Sequence, residues 1–252
     1  MGGDLPDDGG LLAAVTLPLA LLYREAPEVY GLTADATDAA APSESQGETT
    51  VPGLAPETAY RTGTFWLFTA AGACTAGLGT GLLFHPFSIL AETGVGRDLA
   101  AQFFIPLGVA TAVFNVSTGW LMDRAPPRLL LGGQLGLFGG MMALLPAADT
   151  ATEVWVYGSV FGTSQGMQQA LIGSTYAYYF GRRHHGTIRG FANAIFVGGT
   201  AIGPAVLALG PDFLNGFASI LWMLVPIPTL LALVSPAAWA TDWDASVLRE
   251  RG

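Results

Sequence analysis

The sequence lacks lysine entirely, contains a single cysteine and has few charged residues of any kind. All ten basic residues are arginine, which excludes chemistry that needs a lysine Schiff base, including that of a retinal-binding seven-helix protein. Cys74 has no second cysteine to pair with, so a disulfide framework within the chain is impossible. Charged residues make up 12% of the 252 residues, whereas roughly 25% is usual in a soluble domain. This shortage argues against a soluble globular domain.

The 29 charged residues are unevenly distributed along the chain. Residues 1–62 contain 12 of them with a net charge of −8, residues 63–240 contain another 12 with a net charge of zero, and residues 241–252 contain five. The overall charge of −9 therefore belongs mainly to one hydrophilic segment. Because no basic patch could neutralise a phosphate backbone, we expect no nucleic-acid partner.

Residues 63–240 are divided by their charges into six apolar runs, named spans A to F. Each run has at least the ~20 residues that a helix needs to cross ~30 Å of hydrocarbon. The runs are 64–90 (A), 99–122 (B), 129–148 (C), 154–180 (D), 190–210 (E) and 213–240 (F). Short connections make consecutive helices antiparallel neighbours. The predicted fold class is therefore an all-α membrane protein with a bundle of six transmembrane helices.

The arginines predict the orientation of this bundle. Nine of the ten lie before span A, in the B–C and D–E loops or in the tail, and only Arg97 lies on the other side. Positive residues are retained in the cytoplasm. We therefore predict a multi-pass integral protein of the cell membrane with both termini in the cytoplasm.

The segments outside residues 63–240 have a different composition. Residues 10–22 are apolar but too few to cross a bilayer, and acids rather than basic residues precede them, so they do not form a secretion signal. From about residue 34 to residue 62, small and polar residues, proline and acids predominate, which predicts a disordered, acidic cytoplasmic linker. Residues 241–252 are predicted to form a cytoplasmic tail.

Three segments resemble parts of known transporters. Residues 119–128, GWLMDRAPPR, resemble the major facilitator superfamily loop motif G-x-L-x-D-R-x-G-R-R, although Pro126 and Pro127 replace its glycine and a basic residue. Residues 179–190, YFGRRHHGTIRG, are similar to the loop between helices ten and eleven of oxalate/formate antiporters and monocarboxylate porters. Residues 24–32, REAPEVYGL, are similar to the segment after the sixth helix of those carriers.

This resemblance implies the C-terminal half of a twelve-helix carrier. Spans A to F would be helices seven to twelve, built as two inverted three-helix repeats, and residues 10–22 would be a remnant of helix six. The implied function is secondary transport of a small organic solute, a monocarboxylate-type anion, by alternating access. The implied surroundings of the protein are membrane lipids. No catalytic residue, cofactor or metal is expected. A second six-helix half, either a separate N-terminal half or another copy, would complete the pathway; the alternative is a truncated, inactive membrane remnant.

Polar side chains within the spans are the candidate pathway residues, because amides at bilayer depth are costly to expose to lipid. They are His85, Asn115, Gln165, Gln168, Gln169 and Asn193. A plain network of hydrogen bonds between helices is the alternative for the amides, and a capping role is the alternative for His85. In the resembled carriers the loop residues Asp123, Arg124 and Arg128 would form a cytoplasmic gate. Spans B and E lack the basic residues with which oxalate carriers hold a dicarboxylate, so such a site is not expected.

Two glycine patterns predict close helix packing. Gly158, Gly162 and Gly166 in span D recur at four-residue spacing, as do three glycines of span C, Gly132, Gly136 and Gly140.

The segment 162–166 also matches G-x-S-x-G, which makes an intramembrane serine protease with Ser164 as nucleophile the rival hypothesis. A catalytic serine needs a base within hydrogen-bond reach. His184 and His185 lie about 20 residues further along the same helix, roughly 30 Å away, which leaves His85 as the remaining candidate.

Overall fold

The computed structural model describes residues 53–237. The predicted remnant of helix six, most of the predicted linker and the predicted tail lie outside the described residues. The α-helices of the described part are α1 Pro56–Ala59, α2 Gly63–Phe84, α3 Pro86–Glu92, α4 Arg97–Ala101, α5 Phe104–Met122, α6 Pro127–Leu144, α7 Ala151–Phe180, α8 His185–Phe213, α9 Phe217–Leu224 and α10 Pro226–Val234. Short 3₁₀ turns follow α6 at Leu145–Ala147 and α10 at Ser235–Ala237.

Five helical stretches of the described residues are long and apolar enough to cross a membrane. They are Gly63–Phe84, Arg97–Met122, Pro127–Ala147, His185–Phe213 and Phe217–Ala237. The predicted span D is confirmed as a helix of 30 residues, α7, but it does not reach the same apolarity. Its three glutamines and several hydroxyl residues explain the difference, since each lowers the mean hydropathy. The all-α fold class is confirmed for the described part of the chain.

Two of the predicted spans are not single helices. Span A divides at His85 into α2 and α3, and span F divides at Val225 into α9 and α10. In both places a proline, Pro86 or Pro226, opens the second helix, because proline has no N–H to continue the hydrogen bonding of the first. Helix α8, by contrast, starts before the predicted span E and runs through two internal prolines to Phe213.

Helices α5 and α7 pack at backbone distance along a glycine seam. A Cβ atom added at Gly162 would collide with the carbonyl oxygen of Leu107. One turn to either side, Gly158 faces the carbonyl of Phe103 and Gly166 that of Thr111. The three glycines and the three carbonyls share the same four-residue spacing, so the two helices stay in register. The seam predicted for span D is confirmed.

A second seam joins α2 to α8. The Cβ position of Gly81 lies 2.9 Å from the carbonyl oxygen of Gly203, and that of Gly77 lies 2.8 Å from the carbonyl oxygen of Gly199. Such contacts leave no room for any side chain on either helix. The glycines of α2 therefore serve packing, a role that their sequence spacing alone did not identify.

The glycine seam predicted for span C is wrong at two of its three positions. A Cβ at Gly136 or Gly140 would meet no described atom within 4 Å, whereas one at Gly132 would lie 2.5 Å from the Ser235 hydroxyl oxygen. Gly139 provides the second close contact of α6, 3.0 Å from the Thr229 hydroxyl oxygen. Spacing identifies a helix face but not the neighbour that covers it, and here the face of Gly136 and Gly140 is uncovered.

The two ends of the bundle differ in charge. Because the helices alternate in direction, the α5–α6 and α7–α8 connections lie at one end, together with Arg124, Arg128, Arg182 and Arg183. Arg97 lies at the other end. This arrangement groups the arginines as the sequence predicts, and the two ends are called the arginine-rich end and the opposite end.

Residues 53–62, the last part of the predicted linker, are packed at the arginine-rich end. The Leu54 N–H donates to the Phe180 carbonyl over 2.9 Å, and Gly53 forms an antiparallel bridge with Gly181. Ala59 of α1 is fully buried. These ten residues are therefore structured, because the apolar and backbone groups on the α7–α8 junction give them partners.

Candidate functional site

The three glutamines of α7 lie in three different surroundings. Gln168 is 6% exposed and lines a cavity of about 10 Å³ between α2, α6 and α7. Gln165 is half-buried, and its Oε1 atom lies 3.4 Å from the Cβ position of Gly79 on α2. Gln169 is exposed. The stripe that the sequence predicts therefore spreads over one side of α7 rather than forming a single polar site.

Asn115 and Gln169 form a polar pair between α5 and α7. The Nδ2 atom of Asn115 donates to Oε1 of Gln169 over 3.4 Å, at the long end of hydrogen-bond distances. Asn115 is half-buried and Gln169 is exposed, so both amides remain accessible from outside the bundle. One helical turn away, the glycine seam brings α5 and α7 together at Gly166. The pair is thus held on two helices whose separation is fixed.

Ser164, the residue of the protease hypothesis, is fully buried in the middle of α7. Its Oγ accepts a hydrogen bond from Nε2 of Gln134 over 2.9 Å, and Gln134 is also fully buried. The partner is an amide rather than a histidine, and a nucleophile elbow needs a strand-to-helix turn. The geometry gives the protease hypothesis no support.

His85 ends α2 at the opposite end of the bundle. Its Nδ1 atom lies 3.0 Å from the carbonyl oxygen of Gly81, and its ring centroid lies 5.3 Å from that of Phe217. The side chain is half-buried, and its ring contacts a carbonyl of the last helical turn that also accepts from the His85 backbone N–H. This geometry is that of a capping histidine, the alternative that the sequence leaves open for this residue.

Asn193 is exposed on α8, close to the arginine-rich end. The structure therefore brings together only one pair of the predicted pathway residues, Asn115 with Gln169. Gln165 and Gln168 face α2, and His85 and Asn193 lie towards opposite ends of the bundle.

The three predicted gate residues lie at the arginine-rich end, where α5 ends and α6 begins. Asp123 and Arg124 are exposed, and Arg128 is half-buried in the first turn of α6. The Arg124 side chain donates to the Trp120 carbonyl over 3.2 Å, and its guanidinium carbon lies 3.8 Å from the Trp120 ring centroid. A cation held over an indole face is stabilised by the ring quadrupole. The aromatic partner was not foreseen from the loop motif.

Sequence reasoning also missed two contacts between distant helices. The hydroxyls of Thr69 on α2 and Tyr176 on α7 are 3.0 Å apart and both residues are buried. At the opposite end, the Glu92 carboxylate accepts from the Phe217 N–H over 2.9 Å and so caps α9. A threonine in an apolar run and an acid between two apolar runs carry no signal of such partners.

Helices α5 and α8 are the least buried of the membrane-capable helices. Only 17% of the most apolar stretch of Arg97–Met122 is buried, and 22% of that of His185–Phe213, against 56% for Gly63–Phe84. The exposed residues of α5 include a stripe of large apolar side chains at helical spacing: Ile105, Val109, Val113, Val116 and Trp120. Those of α8 include another stripe: Phe191, Ala194, Gly198, Ile202, Ala205 and Leu209.

The all-helical fold and its long apolar helices define a multi-pass integral membrane protein. The family model of the Major Facilitator Superfamily matches residues 9–204, more than half of the chain. The chain therefore belongs to the Major Facilitator Superfamily, whose members are secondary transporters of small solutes. A search of curated proteins found no match.

Proposed function

We propose that this chain supplies the C-terminal half of a carrier that moves a small monocarboxylate-type anion across the cell membrane by alternating access. Membership of the superfamily supports secondary transport of a small solute. The two loop segments, 119–128 and 179–190, support the assignment of the six spans to helices seven to twelve. Both termini would then lie in the cytoplasm, at the arginine-rich end.

The outward faces of α5 and α8 support a second six-helix half as partner. Each presents an exposed apolar stripe, and the stripe of α8 contains Ala194, Gly198 and Ala205, whose small side chains permit close helix contact. A half that packs against both helices would enclose a pathway between the two bundles. Such a half can be a separate N-terminal bundle or another copy of this one.

The Asn115–Gln169 pair is the observation that carries the proposal. It places two amides on facing helices, accessible from outside the bundle, where an amide exposed to lipid would be costly. A solute carboxylate can accept hydrogen bonds from both side chains. Gln165 and Asn193 would line the same pathway at other depths, and Gln168 would support it from inside the bundle; His85, whose geometry is that of a cap, is not included.

The nature of the polar groups favours a singly charged substrate. The arginines of residues 63–237 lie in loops or within the first two turns of a helix, whereas the central turns of the long helices contain amides and hydroxyls. Neutral donors can bind one carboxylate but do not neutralise two charges. A monocarboxylate fits this donor set better than a dicarboxylate.

Asp123, Arg124 and Arg128 would close the cytoplasmic side of the pathway. Asp123 is the C-cap of α5, and a helix C-terminus disfavours a negative charge, so its carboxylate would pair with an arginine or a helix N-terminus of another element when the gate closes. Substrate binding would shift the population between the inward-open and outward-open states.

The test is uptake of radiolabelled lactate, formate and oxalate into proteoliposomes that contain the chain alone or with a six-helix N-terminal half. We expect uptake of the monocarboxylates, and we expect Asn115→Leu and Gln169→Leu to reduce it at least tenfold. Gln102→Leu is the matched control, because Gln102 is an exposed amide that bonds Trp155 at the opposite end. Equal loss in the control variant would contradict the assignment of the pair.

A further inference from the structure

The packed helices fix the depth of α5 relative to α2. The Cβ position of Gly166 on α7 lies 2.8 Å from the backbone nitrogen of Asn115 on α5. The side chain of Gln165, the residue before Gly166, lies 3.4 Å from the Cβ position of Gly79 on α2. Asn115 and Gly79 are therefore level in the bundle to within about one helical turn, about 5 Å.

The glycine seam between α2 and α8 extends this level to α8. The Cβ position of Gly77 lies 2.8 Å from the carbonyl oxygen of Gly199, so Gly199 is level with Asn115 to the same precision. Helices α5 and α8 run in opposite directions, because α5 ends and α8 begins at the arginine-rich end. A residue a given number of positions after Asn115 is therefore level with the residue the same number of positions before Gly199.

Large side chains of α5 are level with small side chains of α8. The level pairs are Trp120 with Ala194, Val116 with Gly198, Val113 with Ala201, and Val109 with Ala205. All eight residues are exposed, and the four of α5 are between 53% and 76% exposed. The two surfaces of one chain are thus complementary in shape at matching depths.

A second copy related by a two-fold axis along the membrane normal keeps every residue at its depth. The two halves of major facilitator carriers are related by an axis in this direction. With such an axis, α8 of the second copy lies against α5 of the first, and the same contact forms a second time with the roles exchanged. Small residues opposite large ones let the helix backbones approach closely.

The charges at the arginine-rich end are complementary in the same arrangement. Asp123 is eight positions after Asn115 and Arg189 is ten positions before Gly199, so the two are level to within about one helical turn. Both side chains are exposed. The Asp123 carboxylate of one copy would meet the second copy's Arg189 and the N-terminus of its α8, and both favour a negative charge.

We propose that a second copy of this chain is the other half of the carrier, with α5 of each copy packed against α8 of the other. The inference rests on the proposed function for the role of the pathway between the bundles. The second copy's Asn115–Gln169 pair lies at the same depth as that of the first, so two pairs of amides flank the pathway.

Disulfide cross-linking in membranes tests the register. Val116→Cys and Gly198→Cys are placed on two differently tagged chains that also carry Cys74→Ala, and the chains are expressed together and oxidised. We expect a cross-linked pair that contains both tags. Leu209→Cys with Val116→Cys is the matched control, because Leu209 is eleven positions further along the α8 stripe, about 16 Å away in depth. Absence of the Val116–Gly198 cross-link, or equal cross-linking in the control, would overturn the proposal.

Gly198→Leu tests the contact without a cross-link. A Cβ at Gly198 meets no described atom of its own chain within 4 Å, so we expect the fold to persist while the dissociation constant of the dimer in liposomes rises at least tenfold. Gly133→Leu is the control, since Gly133 of α6 has the same open space and lies outside both stripes. Counting photobleaching steps of single labelled particles measures the dimer, and unchanged dimerisation in Gly198→Leu would contradict the contact.

Uptake by the same liposomes separates this inference from the proposed function. We expect the chain alone to take up lactate and formate. A monomeric chain that takes them up only with a separate N-terminal half would overturn the pairing and leave the proposed transport standing. A dimer that cross-links in the stated register without uptake would support the pairing and contradict the proposed transport.

Discussion

Gln134 on α6 donates a hydrogen bond to Ser164 on α7 over 2.9 Å, and both side chains are fully buried. The Oε1 atom of the same glutamine has no hydrogen-bond partner among the described residues. The bond joins α6 to α7. In the proposed assignment α6 is the last helix of the first three-helix repeat and α7 is the first helix of the second repeat. It is therefore a structural tie between the repeats.

The variant Ser164→Ala tests this tie. It removes the acceptor and leaves the buried Gln134 amide without it, which should lower the free energy of unfolding by about 1 kcal/mol. Unfolding in mixed micelles with increasing denaturing detergent measures the change. Ser174→Ala is the control, because the Ser174 hydroxyl is exposed and bonds only the Ala170 carbonyl of its own helix. Equal effects of the two variants would show that the interhelical bond adds nothing.

The glycine seam between α5 and α7 gives a second prediction. Gly162→Ala forces a Cβ against the Leu107 carbonyl, and we expect a loss of about 1–3 kcal/mol as the helices separate. Gly173→Ala lies on the same helix with no described atom within 4 Å of the added Cβ, so it should be neutral or stabilising by up to about 1 kcal/mol. The same unfolding measurement compares both. A stable Gly162→Ala protein would contradict the packing described for this seam.

The sequence predicted the helices better than their contacts. Apolar runs and charges located all six helical segments of the bundle because a bilayer requires ~20 apolar residues for a span. The breaks at His85 and Val225 were missed because prolines both end helices and, as in α8, are accommodated inside them. Glycine spacing located the Gly158–Gly166 seam but misassigned Gly136 and Gly140, since spacing does not say which helix lies opposite.

The candidate site was predicted in part. The sequence identified the amides as unusual, and two of them, Asn115 and Gln169, meet in space. Their pairing depends on the register of α5 against α7, which the glycine seam sets and which one sequence cannot give. The Thr69–Tyr176 contact was missed for the same reason, because its two hydroxyls lie 107 residues apart in the chain.

Glu92 provides a prediction for the opposite end of the bundle. Its carboxylate accepts from the Phe217 N–H, 125 residues away, and thereby caps α9. We expect Glu92→Ala to cost about 1 kcal/mol, as loss of a helix cap usually does, and to increase hydrogen exchange at the first turn of α9. Asp98→Ala, an exposed acid at the same end, is the control. Unchanged exchange at Phe217 in Glu92→Ala would contradict the capping contact.

Glu153 makes stability depend on pH. Hydrogen bonds from the Asp149 N–H, from the Thr150 hydroxyl and from the Thr150 N–H lower the pKa of Glu153 from its ordinary 4.5 to about 2. A carboxyl with a lowered pKa stabilises the folded state above its unfolded pKa, and this contribution is lost as the pH falls from about 4.5 towards 2. Thermal unfolding across this range should show the loss. Glu153→Gln should abolish that part of the dependence and Thr150→Ala should reduce it; an unchanged profile in Glu153→Gln would contradict the assignment.

The central proposal is that this member of the Major Facilitator Superfamily transports a small anion past the Asn115–Gln169 pair. Uptake in proteoliposomes tests it most directly. Radiolabelled lactate and formate are offered to vesicles that contain the chain with a six-helix N-terminal half. We predict uptake that falls at least tenfold in Asn115→Leu and Gln169→Leu and persists in Gln102→Leu. Absence of uptake both with and without the second half, or uptake that ignores the Asn115 and Gln169 variants, would contradict the proposed transport.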